Sequence, residues 1–105
     1  MIAFTPKRVD EAKIAAAVKR LEKALRPDVV RIRYVFAEDW TGDPMVNFNI
    51  VLSEDASRDE NLGEVARRVP EKFREQLDTY EMGIRPSFNF RSISEEPEVS
   101  APGWA

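Results

Sequence analysis

Three stretches of this chain alternate apolar and polar side chains with a period of two, and that pattern constrains the fold more than any other feature. In VVRIRYVF, residues 29–36, Val30, Ile32, Tyr34 and Phe36 oppose Val29, Arg31, Arg33 and Val35. In MVNFNIVLS, residues 45–53, Val46, Phe48, Ile50 and Leu52 oppose Met45, Asn47, Asn49 and Val51. In IRPSFNFRSI, residues 84–93, Ile84, Pro86, Phe88 and Phe90 oppose Arg85, Ser87, Asn89 and Arg91. Side chains on a strand point alternately to opposite faces, so each stretch predicts a half-buried strand with one apolar side. Pro86 cannot donate to a ladder and belongs at a strand start or an edge.

The segments between them carry helical spacing. Ile14, Val18, Leu21 and Leu25 recur at steps of four, three and four, with Ala17 beside them, which is one helical stripe. Asp10 is the expected N-cap, with Val9 and Ile14 as a hydrophobic staple; Thr5-Pro6 offers an earlier start. Pro27 disfavours helical geometry at Arg26 and stops the helix. In the second helical segment Leu62, Val65 with Ala66, Val69, Phe73, Leu77 and Tyr80 share one side. Ser57 and Glu60 form a capping-box signature at its start, and Gly83 is the expected C-cap. Pro70 removes a backbone donor within that stretch, at a cost of about 3 kcal/mol in a helix interior. The apolar phase survives across it, which predicts a kinked helix or two short helices in register.

The order is therefore α-β-β-α-β. With one apolar face per strand and one apolar stripe per helix, the simplest burial lays two helices on one side of a three-stranded sheet. The expected fold class is an α+β two-layer sandwich, one domain over residues 1–93, its first two strands joined as a hairpin. Residues 94–105, SEEPEVSAPGWA, are acidic and proline-containing and are expected to form a flexible C-terminal tail, with the docking of Trp104 left open.

Composition narrows the chemistry. The 105 residues include no cysteine and no histidine, which removes disulfides, thiol nucleophiles, the usual zinc sites and the imidazole base. The serines have no activating partner at a recognised spacing, and four scattered glycines cannot build a phosphate loop. Net charge is −3, so nucleic-acid binding would need a local basic patch. No apolar run is long enough to span a bilayer and no export signal is visible, so the expectation is a cytoplasmic protein.

The period of two also fixes the sheet face turned away from the helices. It collects Arg31, Arg33, Asn47, Asn49, Ser87, Asn89 and Arg91, a locally basic, hydrogen-bonding surface on an acidic chain. A solvated face is the plain explanation. A protein interface is the next, with Val29, Val35, Met45 and Val51 as apolar margin. Nucleic acid ranks below it, because this face lacks the aromatic side chains on which sheet-type RNA readers stack bases.

The hairpin connection AEDWTGDP holds a Gly-Asp-Pro turn, with Trp40 at its tip. Glu38, Asp39 and Asp43 could gather round a hard cation, yet ligands at regular alternate positions are missing. No metal or cofactor is expected. The strand that follows, VNFNIVLSED, is similar in shape to the metal-binding strand of nucleotidyltransferase-fold enzymes, where a glycine-containing turn precedes two alternating aspartates. It resembles the minimal, antitoxin-type members that pair with small helical toxins in bacteria. Asn47 and Asn49 stand where the two acids would be, and the family's Gly-Ser pair is absent. The resemblance then implies a catalytically inactive version, since a neutral carboxamide does not replace an anionic magnesium ligand. The element order also resembles type II KH domains, but Gly63 stands alone where their GxxG loop would lie.

The reading that results is a non-enzymatic protein-binding module, a regulatory or antitoxin-like subunit. Its expected contacts are Arg31, Arg33, Trp40, Asn47, Asn49, Asn89 and Arg91. A protein partner comes first, a second copy of the chain is left open, and a KH-like nucleic-acid binder or an inactive nucleotide binder is the alternative.

Overall fold

A computed structural model describes residues 10–105; the expected Val9 staple and the earlier start at Thr5-Pro6 lie outside them. The elements are α1 (Glu11–Ala24), β1 (Val29–Glu38), β2 (Pro44–Leu52), α2 (Asp59–Gln76) and β3 (Arg85–Ser92), followed by a 3₁₀ turn at Glu98–Ser100. Among the described residues the sheet has three strands, in the order β1-β2-β3. β1 and β2 form the antiparallel hairpin that the short polar connection implies, whereas β3 runs parallel to β2. The long α2 crossover makes that parallel return possible. This is the α+β two-layer arrangement that the alternation predicts.

Asp10 caps α1, its carboxylate accepting the Lys13 N–H at 3.2 Å. Ile14, Ala17, Val18 and Leu21 are buried against the sheet, and each large apolar side chain so buried contributes about 1.5–3 kcal/mol. Val65, Val69 and Phe73 do the same from α2. The rings of Phe48, Phe73 and Phe88 meet at centroid distances of 4.6, 5.1 and 5.7 Å, tying the central strand, the second helix and the edge strand together.

Several local expectations are corrected. The register shifts between Val29 and Arg31, and a bulge of this kind reverses the side-chain phase on one side of it. Val29 is therefore 1% exposed in the core and Val30 is 48% exposed, the opposite of the simple alternation. The Ser57–Glu60 capping box does not form: α2 starts at Asp59, and the Ser57 hydroxyl donates to the Glu54 carbonyl at 2.9 Å and lies 3.1 Å from Ser92 Oγ. Pro70 sits inside a helix that continues past it.

The helix then ends well before Gly83. Leu77 takes extended geometry at φ −149°, and the Asp78 carboxylate accepts the Glu81 N–H at 3.0 Å. A short polar side chain offers the backbone this local alternative to the helix. Leu77 stays buried, but Tyr80, one step further along the apparent stripe, is 94% exposed. Gly83 instead serves the turn into β3 at φ +68°.

The largest difference concerns residues 94–105. The stretch expected to be a flexible tail packs on the second face of the sheet. Val99 is fully buried and Trp104 is 8% exposed, and together with Val51 they form a second, smaller apolar cluster edged by Ile93. Among the described residues, no helix is long and apolar enough to cross a membrane.

Candidate functional site

The sheet register gathers the sequence-predicted polar residues on one face. Arg33, Asn49 and Asn89 form one row across the three strands; Arg31, Val51 and Arg91 form the next, and Val35, Asn47 and Ser87 a third. The C-terminal segment lies across them. Arg31 donates through Nε to the Trp104 carbonyl at 2.9 Å and through Nη2 to that of Val99 at 3.2 Å. Arg33 Nε reaches the Ala105 carbonyl at 2.9 Å, Asn49 Nδ2 that of Gly103 at 2.7 Å, and Arg91 that of Glu98 at 2.8 Å. Arg91 also stacks its guanidinium 4.3 Å above the Trp104 ring, a favourable cation–π arrangement. Asn89 donates to Asn49 Oδ1 at 3.1 Å. Asn47 is half-buried on the same face.

The physical reason is reciprocal need. The tail has main-chain carbonyls that require donors once they leave water, and the sheet face has donors in excess, set around the apolar patch at Val51. Gly103 allows the close approach. Its φ is +89°, and a Cβ there would lie 3.3 Å from Val35 Cγ2 and 3.4 Å from Asn49 Nδ2. Asn49, only 7% exposed, is thus a structural anchor, and the Arg and Asn donors are largely engaged within the chain.

The hairpin tip is different. Asp39 Oδ1 accepts from the Thr41 N–H at 2.9 Å, the Thr41 hydroxyl at 2.5 Å and the Asp43 N–H at 3.0 Å. Gly42, at φ +89°, closes the turn, its N–H donating to the Asp39 carbonyl at 3.0 Å. The Thr41 hydroxyl, the Asp43 and Thr41 N–H groups and the Arg85 guanidinium hold the Asp39 carboxyl below its usual range, against an upward push from burial. Asp39 Oδ2 has no hydrogen-bond partner among the described residues but stands 3.3 Å from Arg85 Nη1. The turn satisfies itself, and Trp40 projects from it at 94% exposure.

Beside the tip, Asp43, Pro44, Thr79, Tyr80, Gly83, Ile84, Arg85 and Pro86 line a groove of about 430 Å³. The hairpin therefore shares one end of the molecule with the loop before β3. Sequence reasoning placed Tyr80 in the core and so missed it. Its only signal was position, directly after Asp78-Thr79, where short polar residues compete with a helix.

The other chemistries find little. Among the described residues, no group of three or more acidic side chains is arranged to hold a metal ion. Three of the four cations of α2 are spent on neighbours: Arg67 on Glu64 and Glu71, Lys72 on Glu75, and Arg68 on Asp28. No protein-family model matches this chain, and no curated protein matches it.

Proposed function

We propose that this chain is a non-enzymatic, cytoplasmic protein-binding module, a regulatory or antitoxin-like subunit, and that it meets its partner through the end formed by the hairpin tip and the β3 entry loop. The observation that carries this reading is the 94% exposure of both Trp40 and Tyr80, the first on the hairpin turn and the second on the groove that the hairpin base and the β3 entry loop line together. Tryptophan and tyrosine anchor protein interfaces more than other residues do, because each buries a large rigid surface and keeps a polar handle. Arg85 and Asp43 give the groove a charged rim around Pro44, Ile84 and Pro86, the usual pattern of apolar centre and polar margin. The nucleic-acid alternative loses support from the engagement of Arg31, Arg33 and Arg91 by tail carbonyls. A nucleotide site at Asn47 and Asn49 loses it from the Asn49–Gly103 bond.

The test is affinity capture from an extract of the source cells with the wild type and with a Trp40→Ala/Tyr80→Ala variant. The double variant should fold as well as the wild type, within about 0.5 kcal/mol, because neither side chain is packed. A stoichiometric partner held by the wild type should be lost from the variant. Equal recovery by both rejects this end of the molecule as the contact.

A further inference from the structure

The two outer edges of the sheet are finished differently. Along β1 the even-numbered residues point their main-chain groups outward, away from β2. There the bulge after Val29 disturbs the edge. The Ile32 N–H donates to the Glu22 carboxylate at 2.8 Å, and its carbonyl accepts from Arg33 at 3.0 Å. Bulges and charges reaching an edge are ordinary means of blunting it; here they act on residues 29–33, whereas further along β1 the outward main-chain groups of Tyr34 and Phe36 have no partner among the described residues.

On β3 the Ile93 N–H donates to the Leu52 carbonyl at 2.9 Å. By the alternation of a strand, Pro86, Phe88, Phe90 and Ser92 therefore turn their main-chain groups outward. Pro86 has no N–H. Ser92 is closed by Glu95, whose carboxylate accepts its N–H at 3.0 Å and whose own N–H reaches its carbonyl at 3.0 Å. Between these two stops, the N–H and C=O groups of Phe88 and Phe90 have no hydrogen-bond partner among the described residues. The side chains of both are only half-buried, and the exposed Leu62 of α2 lines a hollow beside Phe90.

We infer that this open stretch of β3 pairs with the same stretch of a second copy, antiparallel about a two-fold axis through Asn89, joining two sheets into one. The edge is complementary to itself. With Phe88 opposite Phe90 of the other copy, all four open residues exchange main-chain hydrogen bonds. Pro86, which lacks a donor, then falls opposite Ser92, whose groups are already satisfied. Arg85 falls opposite Ile93, where the other copy turns into acidic Glu95 and Glu96, and no arginine faces an arginine. The half-exposed Phe88 and Phe90 rings of the two copies join in one apolar line, and a two-fold interface of this kind closes after two subunits. The pairing meets the groove at Arg85 and Pro86, which line both, while Trp40 and Tyr80 stand outside the paired stretch.

The absence of native cysteine makes the test direct. Residues 89 of the two copies would form a non-hydrogen-bonded pair, with Cα atoms about 4.5 Å apart, inside the range a disulfide bridges. Under mild oxidation the Asn89→Cys variant should run as a covalent dimer, well ahead of an Arg26→Cys control on the α1–β1 turn. Sedimentation of the unmodified protein should show a dimer that grows with concentration. An Asn89→Lys variant, which sets like charges against each other on the axis, should weaken it at least tenfold while its far-UV circular dichroism stays that of the wild type. A monomer at every concentration overturns the inference, as does a dimer in which Asn89→Cys cross-links no faster than the control.

Discussion

The polar sheet face and the hairpin tip are both built from strand residues and short turns, and both carry side chains suited to gripping another protein. One is covered by the chain itself and the other is left in water. The difference lies in which groups still want partners. At the tip, Asp39 satisfies the Thr41 and Asp43 donors, so nothing remains to draw another segment down and Trp40 stays out. On the sheet face, three guanidinium groups and Asn49 have donors to spare, and the carbonyls of residues 98–105 are within their reach. A surface rich in donors is most easily satisfied by backbone oxygen, and the nearest backbone belongs to the same molecule.

Three measurements would break or sharpen this contrast. The largest effect should come from Trp104→Ala, which empties the small cluster with Val51 and Val99. A buried aromatic truncated to alanine costs about 3–5 kcal/mol, and the low end is expected here because the tail can leave without the main core opening. Urea unfolding gives the loss, and limited proteolysis should cut within residues 94–105 of the variant first. An unchanged denaturation midpoint would mean that the sheet face does not depend on its cover.

A smaller loss, about 1–2 kcal/mol, is expected for Gly103→Ala, since a side chain at positive φ is strained and the added Cβ presses on Val35 and Asn49. The same denaturation series measures it. The third effect is confined to the tip. Because folding lowers the Asp39 carboxyl, its contribution is complete above the ordinary value of 3.8 and is lost as pH falls through the lowered one. The amide signals of Thr41 and Asp43 should report this loosening in an acid titration. Asp39→Asn should remove that pH dependence, and a titration of Asp39 at or above 3.8 would show that its hydrogen bonds do not hold the turn.

Strand phase was legible because an amphipathic strand repeats every two residues, and the arginine and asparagine rows of the sheet follow from that alone. The bulge at Val29 was not, since two adjacent valines fit either phase equally well. The end of α2 was misread because Tyr80 continues the apolar spacing by coincidence, and the Asp78 turn that breaks the helix is a one-residue event. Residues 94–105 have the proline and carboxylate content of a solvated segment, yet Val99 and Trp104 are the two positions that matter. Their match to Val51, in the middle of a polar face, was the signal available in the sequence. Of the residues singled out for partner contact, Arg31, Arg33, Asn49 and Arg91 are bonded to the tail, whereas Trp40, Asn47 and Asn89 make no hydrogen bond to it among the described residues.

The anchoring of the C-terminal segment has a consequence for how this chain can vary. Arginine and asparagine side chains hold it by oxygen atoms that every amino acid supplies, so most of its own side chains can drift without unseating it. Glycine at 103 and the bulky apolar residues at 99 and 104 are the exceptions. The burden of identity thus falls on the sheet: one altered arginine there undoes what many changes in the covering segment would leave in place.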